Sequence, residues 1–471
     1  MIGVFVLLCL LFSLVGSSPL GARESTTASQ YKFLIVTPVE FQEEIQRLAD
    51  HKNSVGMETT VINLDEIQEH QACGPGRDLA EKIKLYIKFS IEQYNISYVL
   101  LAGGKIGQRN DWYMPVRYVH MDNGWETEYI SDLYFADIYD SQGGFSSWDA
   151  DDDGIYSEWV EGNYPIDSHI DLYPDIAVGR IPARNIRELS DVIDKIIVYE
   201  TTTAGQDWFN TMVAIAGDTY PVSHNLLWVG NEGEIYADQA LAYMNEFTPV
   251  RMYLSENGFS GPDDVIRVLD DGCGFLYFVG HGNPRSWGNH PPDNETFVNG
   301  LQNPDMDRLG NQNKFPVCVV SGCHNCQFDV GILDIIEGIR EHGLSYFSLR
   351  GGHFWRSEWS PECWGWKLLR LQTTGSIVTY GASALGHTKE DKSSFEGGIN
   401  ELEVEMFKQY GVHGEIHAGD LLKNAQSWYL DQYPIDWDSE HLPTLLDTWV
   451  DVQVVQSYVM FGDPSLRIGG Y

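Results

Sequence analysis

The sequence predicts an α/β fold of open, mostly parallel sheets flanked by helices, arranged as two tandem α/β subdomains. In the first half, short apolar runs alternate with segments of helical periodicity, and this alternation is typical of a doubly wound sheet. The same order restarts after a Thr-Thr-Thr-Ala-Gly stretch at residues 201–205, which has the composition of a linker. We therefore expect one subdomain over residues 23–205 and a second over 206–471.

The predicted elements follow one another along both halves. In the first half, strands and helices alternate over residues 33–37, 40–51, 59–63, 78–93 and 97–102. Residues 105–175 are rich in Asp, Gly, Tyr and Trp, and we expect them to form a long structured excursion before a helix over 185–201. In the second half, the predicted elements occupy residues 212–216, 238–244, 250–254, 263–270, 275–279, 316–320, 362–372 and 376–380.

Composition and the N-terminus limit the possible functions. The chain has 471 residues, 30 basic and 68 acidic, and a net charge of −38, which excludes a protein that binds nucleic acid through its phosphates. Residues 4–15 form an apolar run too short to span a bilayer comfortably, and small residues follow at 16–18. We predict a signal peptide at 1–22, a secreted or cell-surface location and no membrane span in the mature chain. A retained anchor is the alternative.

Two reactive side chains follow two apolar runs of the second half. The run at 275–279 leads through a glycine to His281, and the run at 316–320 leads through Ser-Gly to Cys323. In an open α/β sheet, groups that carry chemistry gather at the carboxyl ends of the strands. The joint pattern therefore predicts a cysteine–histidine nucleophilic pair. Taken alone, Cys323 would ordinarily be interpreted as a core residue and His281 as a turn residue.

This pair, together with segments elsewhere, resembles the caspase-like cysteine peptidases of clan CD and, within that clan, the gingipain-type peptidases. The resemblance spans about residues 30 to 469, nearly the whole mature chain. The segments that carry it, besides the pair, lie at residues 31–37, 61–64, 98–102, 115–117, 131–134, 175–182, 195–200 and 461–467. The resemblance implies a caspase-like fold and a cysteine endopeptidase that hydrolyses peptide bonds of protein or peptide substrates.

The resemblance also implies roles for individual residues. Cys323 would attack the scissile carbonyl and form a thioester, with His281 as its proton-transfer partner. The backbone amides of Gly282 and Cys323 would hold the oxyanion. Gingipain-type peptidases add an acid that orients the histidine, and its best match here is Asp132, with Glu128 in reserve. From the residues alone, Asp132 could equally cap a turn.

Other histidines and cysteines lie near this pair. His324 directly follows Cys323, and in an extended chain it would point to the opposite face, so we interpret it as structural. His290 is expected on a loop. Cys323 and Cys326 form a Cys-x-x-Cys, but no second cysteine pair completes a zinc site, and the motif does not open a helix as a redox pair would. Five cysteines remain beside Cys323 in the mature chain, which leaves one disulfide possible without identifying its partners.

An acidic loop in the excursion suggests a metal ion. Asp149, Asp151 and Asp153 alternate and are followed by glycine, which matches the start of a calcium loop. Position twelve is Val160, so the loop is not an EF-hand, and Glu158 is a candidate fourth ligand. We predict a structural calcium ion and no organic cofactor. The alternative is a solvated acidic turn.

Substrate specificity and the fate of the thioester stay open. Known gingipains that cut after Arg or Lys have an acid in the primary pocket and an aromatic wall. Residues 384–388 lack the tryptophan of that wall, and Glu390 and Asp391 could supply an acid, so basic specificity rests on analogy alone. A sortase-like transpeptidase would use the same pair and pass the thioester to an amine. A third possibility is a calcium-dependent secreted binding module on an inactive peptidase fold.

Overall fold

The structure, a computed structural model, describes residues 31–160, 164–221, 231–348, 353–388, 396–438 and 447–471. Its strands in chain order are β1 (Phe33–Thr37), β2 (Thr59–Asn63), β3 (Tyr98–Ala102), β4 (Tyr118–His120), β5 (Glu128–Ile130), β6 (Trp159–Val160), β7 (Tyr164–Pro165), β8 (Ala177–Ile181), β9 (Thr211–Ala216), β10 (Thr248–Tyr253), β11 (Phe275–Val279), β12 (His281–Asn283), β13 (Ser286–Asn289), β14 (Val298–Gln302), β15 (Val317–Ser321), β16 (Val378–Ala382) and β17 (Tyr458–Phe461). Its α-helices are α1 (Gln42–Ser54), α2 (Leu64–Glu69), α3 (Leu79–Tyr94), α4 (Ile186–Thr202), α5 (Glu232–Tyr243), α6 (Pro262–Asp271), α7 (Asp334–His342), α8 (Trp364–Arg370), α9 (Ile399–Gly411), α10 (Ala418–Gln432) and α11 (Thr448–Ser457).

Ten strands form one continuous sheet in the order β10-β9-β11-β15-β16-β17-β8-β3-β1-β2. The five strands from β10 to β16 in this order are parallel to one another. Strand β17 is antiparallel to β16 and parallel to β8, and β8, β3, β1 and β2 are again mutually parallel. The strand direction therefore reverses once, between β16 and β17. The parallel strands on either side of this point have their carboxyl ends at opposite edges of the sheet.

The central strands are covered on both faces because they are apolar throughout. Every residue of β1, β3, β11 and β15 is buried, as expected for parallel strands between helical layers. Helix α4 connects the two halves through the buried Lys195 side chain, whose Nζ lies 2.7, 2.8 and 2.7 Å from the carbonyl oxygens of Leu369, Thr374 and Ser376. These contacts satisfy a polar group that would otherwise be costly to bury.

The predicted α/β class, with a mostly parallel sheet flanked by helices, is confirmed. Many predicted elements differ from the observed ones by only a few residues. The helix predicted over 78–93 is α3, and the Asp78 carboxylate before it accepts the Glu81 N–H at 2.8 Å as an N-cap. The excursion at 105–175 contains the short strands β4 to β7, in two two-stranded sheets. The proposed boundary at 201–205 falls at the end of α4, and both halves contribute to the same sheet.

The sequence did not predict the small antiparallel sheet β12-β13-β14, which projects from the end of β11. Among the described residues, no helix is both long and apolar enough to cross a membrane. The signal peptide predicted at 1–22 lies outside the described residues.

Candidate active site

The two reactive side chains predicted from the sequence lie in one cleft. Strands β11 and β15 are adjacent and parallel, with Val279 opposite Ser321, so their carboxyl ends share one edge of the sheet. His281 and Cys323 each lie two residues beyond a strand and line the same cleft, which holds about 400 Å³ of empty space. This is the edge at which ligands bind in open α/β sheets.

Glycines allow the two segments of this cleft to approach each other closely. A Cβ atom on Gly322 would lie 3.0 Å from both the Cα and the nitrogen of Gly282. A Cβ atom on Gly282 would lie 2.0 Å from Oδ1 of Asn325, a buried residue whose Nδ2 donates to the Asn283 and Ser286 carbonyls at 2.9 and 3.1 Å. A side chain at either glycine would therefore force the β12–β13 hairpin away from the Cys323 loop.

The His281 imidazole is oriented by a backbone carbonyl. Its Nε2 lies 2.7 Å from the oxygen of Thr219, and because a carbonyl only accepts, Nε2 carries the proton. The Tyr220 ring packs edge-on against the imidazole, with 5.8 Å between ring centroids. Burial lowers the pKa of His281 below its ordinary value, and the nearby His290 adds to this shift. At neutral pH the ring is therefore neutral, with Nδ1 as the nitrogen able to accept a proton.

The Cys323 thiol is also neutral at rest. Burial raises its pKa to about 11, and the charge of Glu126 adds to this effect. The sulfur lies 3.9 Å from the carbonyl oxygen of Gly386, to which the thiol donates. In the described residues, the Cys323 N–H donates to no carbonyl, whereas the amides of His324 and Cys326 donate to Ala384 and Ala382. The Cys323 N–H instead faces its own sulfur, a contact that acts against the effect of burial on the thiol pKa.

The structure does not bring Asp132 to His281, so the expectation that this acid orients the histidine needs correction. The Asp132 carboxylate forms two bonds of 2.7 Å with the buried Arg180 guanidinium, which also donates to the Gly103 carbonyl just beyond β3. Arg180 and Gly103 lie on or directly after strands of the second parallel set, so the Asp132 carboxylate is bound there and not at the imidazole. The reserve acid, Glu128, lines separate cavities that it shares with Asp329 and Glu358.

His324 turns away from the cleft, in agreement with its structural interpretation, but for a different reason. It adopts a left-handed conformation, with φ of 57°, so the chain bends sharply after Cys323 instead of continuing extended. Its Nε2 lies 3.6 Å from a carboxylate oxygen of Glu126. Burial lowers the pKa of His324 to about 4 and raises that of Glu126 to about 7.

The remaining cysteines take no part in this cleft. Cys73, Cys273, Cys318, Cys326 and Cys363 are buried, and all six cysteines of the described chain are free thiols. The one disulfide that the sequence left possible is therefore not formed among them. Burial raises the pKa of the Cys326 thiol well above its ordinary value, so this residue packs as a small apolar side chain.

The predicted calcium ligands are partly assembled. Carboxylate oxygens of Asp149, Asp151 and Asp153 lie within 4.8 Å of one another, and hard carboxylate oxygens suit calcium. Asp149 is buried, and its Oδ2 also accepts from Arg77 Nη1 at 2.5 Å. Glu158 lies outside this group of three. Burial and the charge of Asp153 raise the pKa of Glu158 above its ordinary value.

Sequence reasoning missed the residues that support the pair. Thr219 acts through a backbone carbonyl, which every residue type possesses, so no sequence signal could identify it. Glu232 and Asn325 are polar residues buried beside the cleft, and acids and amides are too common in this chain to be distinguished in advance. Glu390 and Asp391, named as possible specificity acids, lie outside the described residues.

Comparisons with known proteins identify the family of this chain. The model of peptidase family C25 matches residues 26–469. Gingipain R2 of Porphyromonas gingivalis (strain ATCC BAA-308 / W83) is 19% identical over 442 residues, which cover 93% of this chain and 46% of that protein. Lys-gingipain HG66 of Porphyromonas gingivalis is 23% identical over 303 residues, which cover 61% of this chain and 15% of that protein. The chain thus spans less than half the length of these relatives.

Solved structures show the same fold. The crystal structure of the Arg-specific cysteine proteinase gingipain R has a TM-score of 0.60 at 16% identity, covering 93% of this chain and 78% of that chain. The complex of the pro- and mature domains of Porphyromonas gingivalis RgpB has a TM-score of 0.59 at 16% identity, covering 93% and 79%. The resemblance to gingipain-type peptidases is therefore confirmed, and the chain belongs to peptidase family C25, a family of cysteine peptidases.

Proposed function

We propose that this chain is a secreted cysteine endopeptidase whose nucleophile is Cys323 and whose proton-transfer partner is His281. The observation that supports this most directly is that an imidazole and a thiol, each two residues beyond the end of one of two adjacent parallel strands, line one small cleft. The Nε2–H of His281 is already bound to the Thr219 carbonyl, which leaves Nδ1 as the proton acceptor. Family membership supports the same chemistry.

The reaction starts from two neutral groups. As the Cys323 sulfur attacks the scissile carbonyl, the thiol proton passes to Nδ1 of His281 and the carbonyl oxygen becomes an oxyanion. The Cys323 N–H, with that of the adjacent Gly282, stabilises this oxyanion. The imidazolium then gives the proton to the leaving amine, which departs as the thioester forms. Water attacks the thioester, loses a proton to His281, and releases the carboxylic acid and the thiol.

The substrates are proteins or peptides, and the names of the relatives suggest which bonds to test first. Arg and Lys appear in those names, and a chain with a net charge of −38 attracts cationic substrates at low ionic strength. A P1 panel of Arg, Lys, Asp, Asn and Leu therefore begins with the two basic residues. Secretion rests on the predicted signal peptide, and cell fractionation of a tagged chain tests it.

The test of the nucleophile is active-site labelling with peptidyl acyloxymethyl ketones that carry this P1 panel. We expect one selective label on Cys323, lost in Cys323→Ala and kept in Cys73→Ala, which removes a buried cysteine elsewhere. A label that survives Cys323→Ala, or no label on the folded protein, would contradict the proposal and favour a binding module. Adding an amine nucleophile while a substrate is being cleaved separates hydrolysis from transpeptidation, because only transpeptidation yields the amide product.

We also propose that the loop at residues 149–158 binds a structural calcium ion. The donor set fits, because Asp149, Asp151 and Asp153 can direct oxygens to one point. Arg77, which pairs with Asp149, would have to share that carboxylate with the ion. In this proposal calcium stabilises the excursion and takes no part in the reaction.

A further inference from the structure

The Thr219 carbonyl that holds His281 belongs to a loop that leaves the end of β9, and this loop is itself held by a buried acid. Glu232, the first residue of α5, is only 3% exposed. Its Oε1 accepts the Thr219 N–H at 2.6 Å and the Tyr220 N–H at 3.1 Å. The acid therefore binds two successive amides of the segment that contacts the imidazole.

The Tyr220 N–H and the Thr219 carbonyl are the two ends of one peptide group. Glu232 accepts a hydrogen bond from its nitrogen end, and His281 Nε2 donates a hydrogen bond to its oxygen end. Hydrogen bonds arranged in a chain polarise one another, more strongly where the dielectric is low. The carboxylate thus strengthens the carbonyl as an acceptor without touching the imidazole.

The remaining contacts leave this peptide little freedom. A Cβ atom on Gly233 would lie 2.7 Å from the Gly217 carbonyl oxygen and 3.3 Å from Thr219 Oγ1, so α5 packs directly on the loop. The buried Asn289 donates from Nδ2 to Thr219 Oγ1 at 3.2 Å and to the Val279 carbonyl at 2.9 Å. The loop is thereby bound both to helix α5 and, through Asn289, to the end of β11, two residues before His281.

We propose that Glu232 is the positioning residue for His281, acting through the Thr219–Tyr220 peptide in place of an acid in direct contact with the imidazole. The inference rests on the proposed role of His281 as proton-transfer partner of Cys323. Its consequence is the choice of tautomer: the Thr219 carbonyl requires the proton on Nε2, and this leaves Nδ1 to accept the thiol proton. Burial and the neighbouring Asp218 raise the pKa of Glu232 to about 7, so a neutral glutamine is a close substitute for this side chain.

Three variants test the proposal. Glu232→Ala removes the acceptor, Glu232→Gln keeps an oxygen in the same place, and Glu234→Ala is the matched control. Glu234 lies on the same helix and is also buried, but it accepts from the backbone and hydroxyl of Ser255, at 2.9 and 2.6 Å. Thermal unfolding reports whether each variant folds.

The first readout is the tautomer of His281 from nitrogen chemical shifts of 15N-histidine-labelled protein in a Cys323→Ala background, assigned with His281→Gln. We expect the Nε2–H form in the parent, Glu232→Gln and Glu234→Ala, and a mixture in Glu232→Ala. The second readout is steady-state kinetics: kcat should fall about 10- to 100-fold in Glu232→Ala with KM little changed, and Glu232→Gln should recover most of it.

An unchanged tautomer in Glu232→Ala, or an equal loss of kcat in Glu234→Ala, would overturn the proposal. So would a Glu232→Gln variant no better than Glu232→Ala. If the wild-type protein neither cleaves nor labels, the proposed function fails instead, and the tautomer measurement still decides the role of Glu232 because it needs no activity.

Discussion

His281 donates from Nε2 to the carbonyl oxygen of Thr219 across 2.7 Å, so a neutral backbone group, and not a carboxylate, is the direct partner of the imidazole. A neutral acceptor stabilises imidazolium less than a carboxylate does. Together with the burial that lowers the pKa of His281 and raises that of Cys323, this means that the unliganded protein holds a thiol and an imidazole, not a thiolate–imidazolium pair.

The rate at which Cys323 is alkylated in the unliganded protein should therefore keep rising with pH up to strongly alkaline values. With a thiol pKa of about 11, roughly one Cys323 in ten thousand is ionised at pH 7, so the rate with iodoacetamide should rise close to tenfold per pH unit. Mass spectrometry at pH 6 to 10 measures this rate, with Cys323→Ala as the blank for the buried cysteines. A rate that reaches a plateau below pH 7 would show a preformed ion pair and refute the neutral resting state.

Gly282→Ala should be strongly destabilising, because its Cβ would meet Asn325 Oδ1 at 2.0 Å and Cγ at 2.6 Å. We expect a loss of at least about 2 kcal/mol in the free energy of unfolding. Gly261→Ala is the control, since its Cβ would have no atom within 4 Å. The double variant Gly282→Ala/Asn325→Ala lacks the clash between the new Cβ and the Asn325 amide. Its loss of stability should therefore be smaller than the sum of the losses in the two single variants. Additive losses in urea unfolding would show that the contact is not the cause.

Calcium should stabilise the excursion if the acidic loop binds it. We expect millimolar calcium to raise the melting temperature by a few degrees and to slow proteolysis within residues 140–175. Asp151→Asn removes one of the three clustered carboxylates and should abolish both effects. Asp152→Asn is the matched control, because that side chain contacts Arg77 and lies outside the cluster. Equal calcium responses in the two variants would exclude this loop as the site.

Glu403 should make the protein less stable as the pH rises. This residue is fully buried on α9 and accepts from the hydroxyls of Tyr277 and Tyr458 at 2.9 and 3.1 Å. Burial raises its pKa from 4.5 to about 8. Between those values the folded protein keeps a proton that the unfolded chain releases, so the free energy of unfolding falls as pH rises through this window and levels off above it.

Glu403→Gln should remove this slope and make the protein about 1–3 kcal/mol more stable than wild type at pH 8.5. Urea unfolding at pH 5 and pH 8.5 measures the difference between the two conditions. Glu405→Gln, on the same helix and paired with Lys408 at 2.9 Å, is the control. A Glu403→Gln variant with the wild-type slope would show that another group titrates in this range.

The shared location of His281 and Cys323 could be predicted from the sequence because the signals for it are local. An apolar run of five residues that is followed by glycine or by Ser-Gly specifies a buried strand and its end, and the residue after the glycine must lie at the edge of the sheet. The runs before His281 and Cys323 both satisfy this rule, and β11 and β15 pair residue for residue. Asp149, Asp151 and Asp153 cluster for the same reason, since neighbours in a tight loop are neighbours in space.

Asp132 could not be placed in this way, because its position depends on a contact between distant parts of the chain. Strand β17 comes from the last residues of the sequence, yet it inserts between β16 and β8 and reverses the direction of the sheet. Strand β8 thereby brings Arg180 to Asp132, and this buried guanidinium binds the carboxylate that the sequence had suggested for the histidine. No local pattern in either half encodes that insertion.

The sequence by itself thus determined the α/β class, the strands that carry His281 and Cys323, and the edge at which they meet, because hydrophobic periodicity and strand ends are properties of short segments. Only the tertiary structure decided what holds His281, since the Thr219 carbonyl is a group common to all residues and Glu232 reaches it only after α5 packs on the loop. It also decided the protonation of the pair, because the pKa shifts of both groups arise from burial, which exists only once the chain has folded.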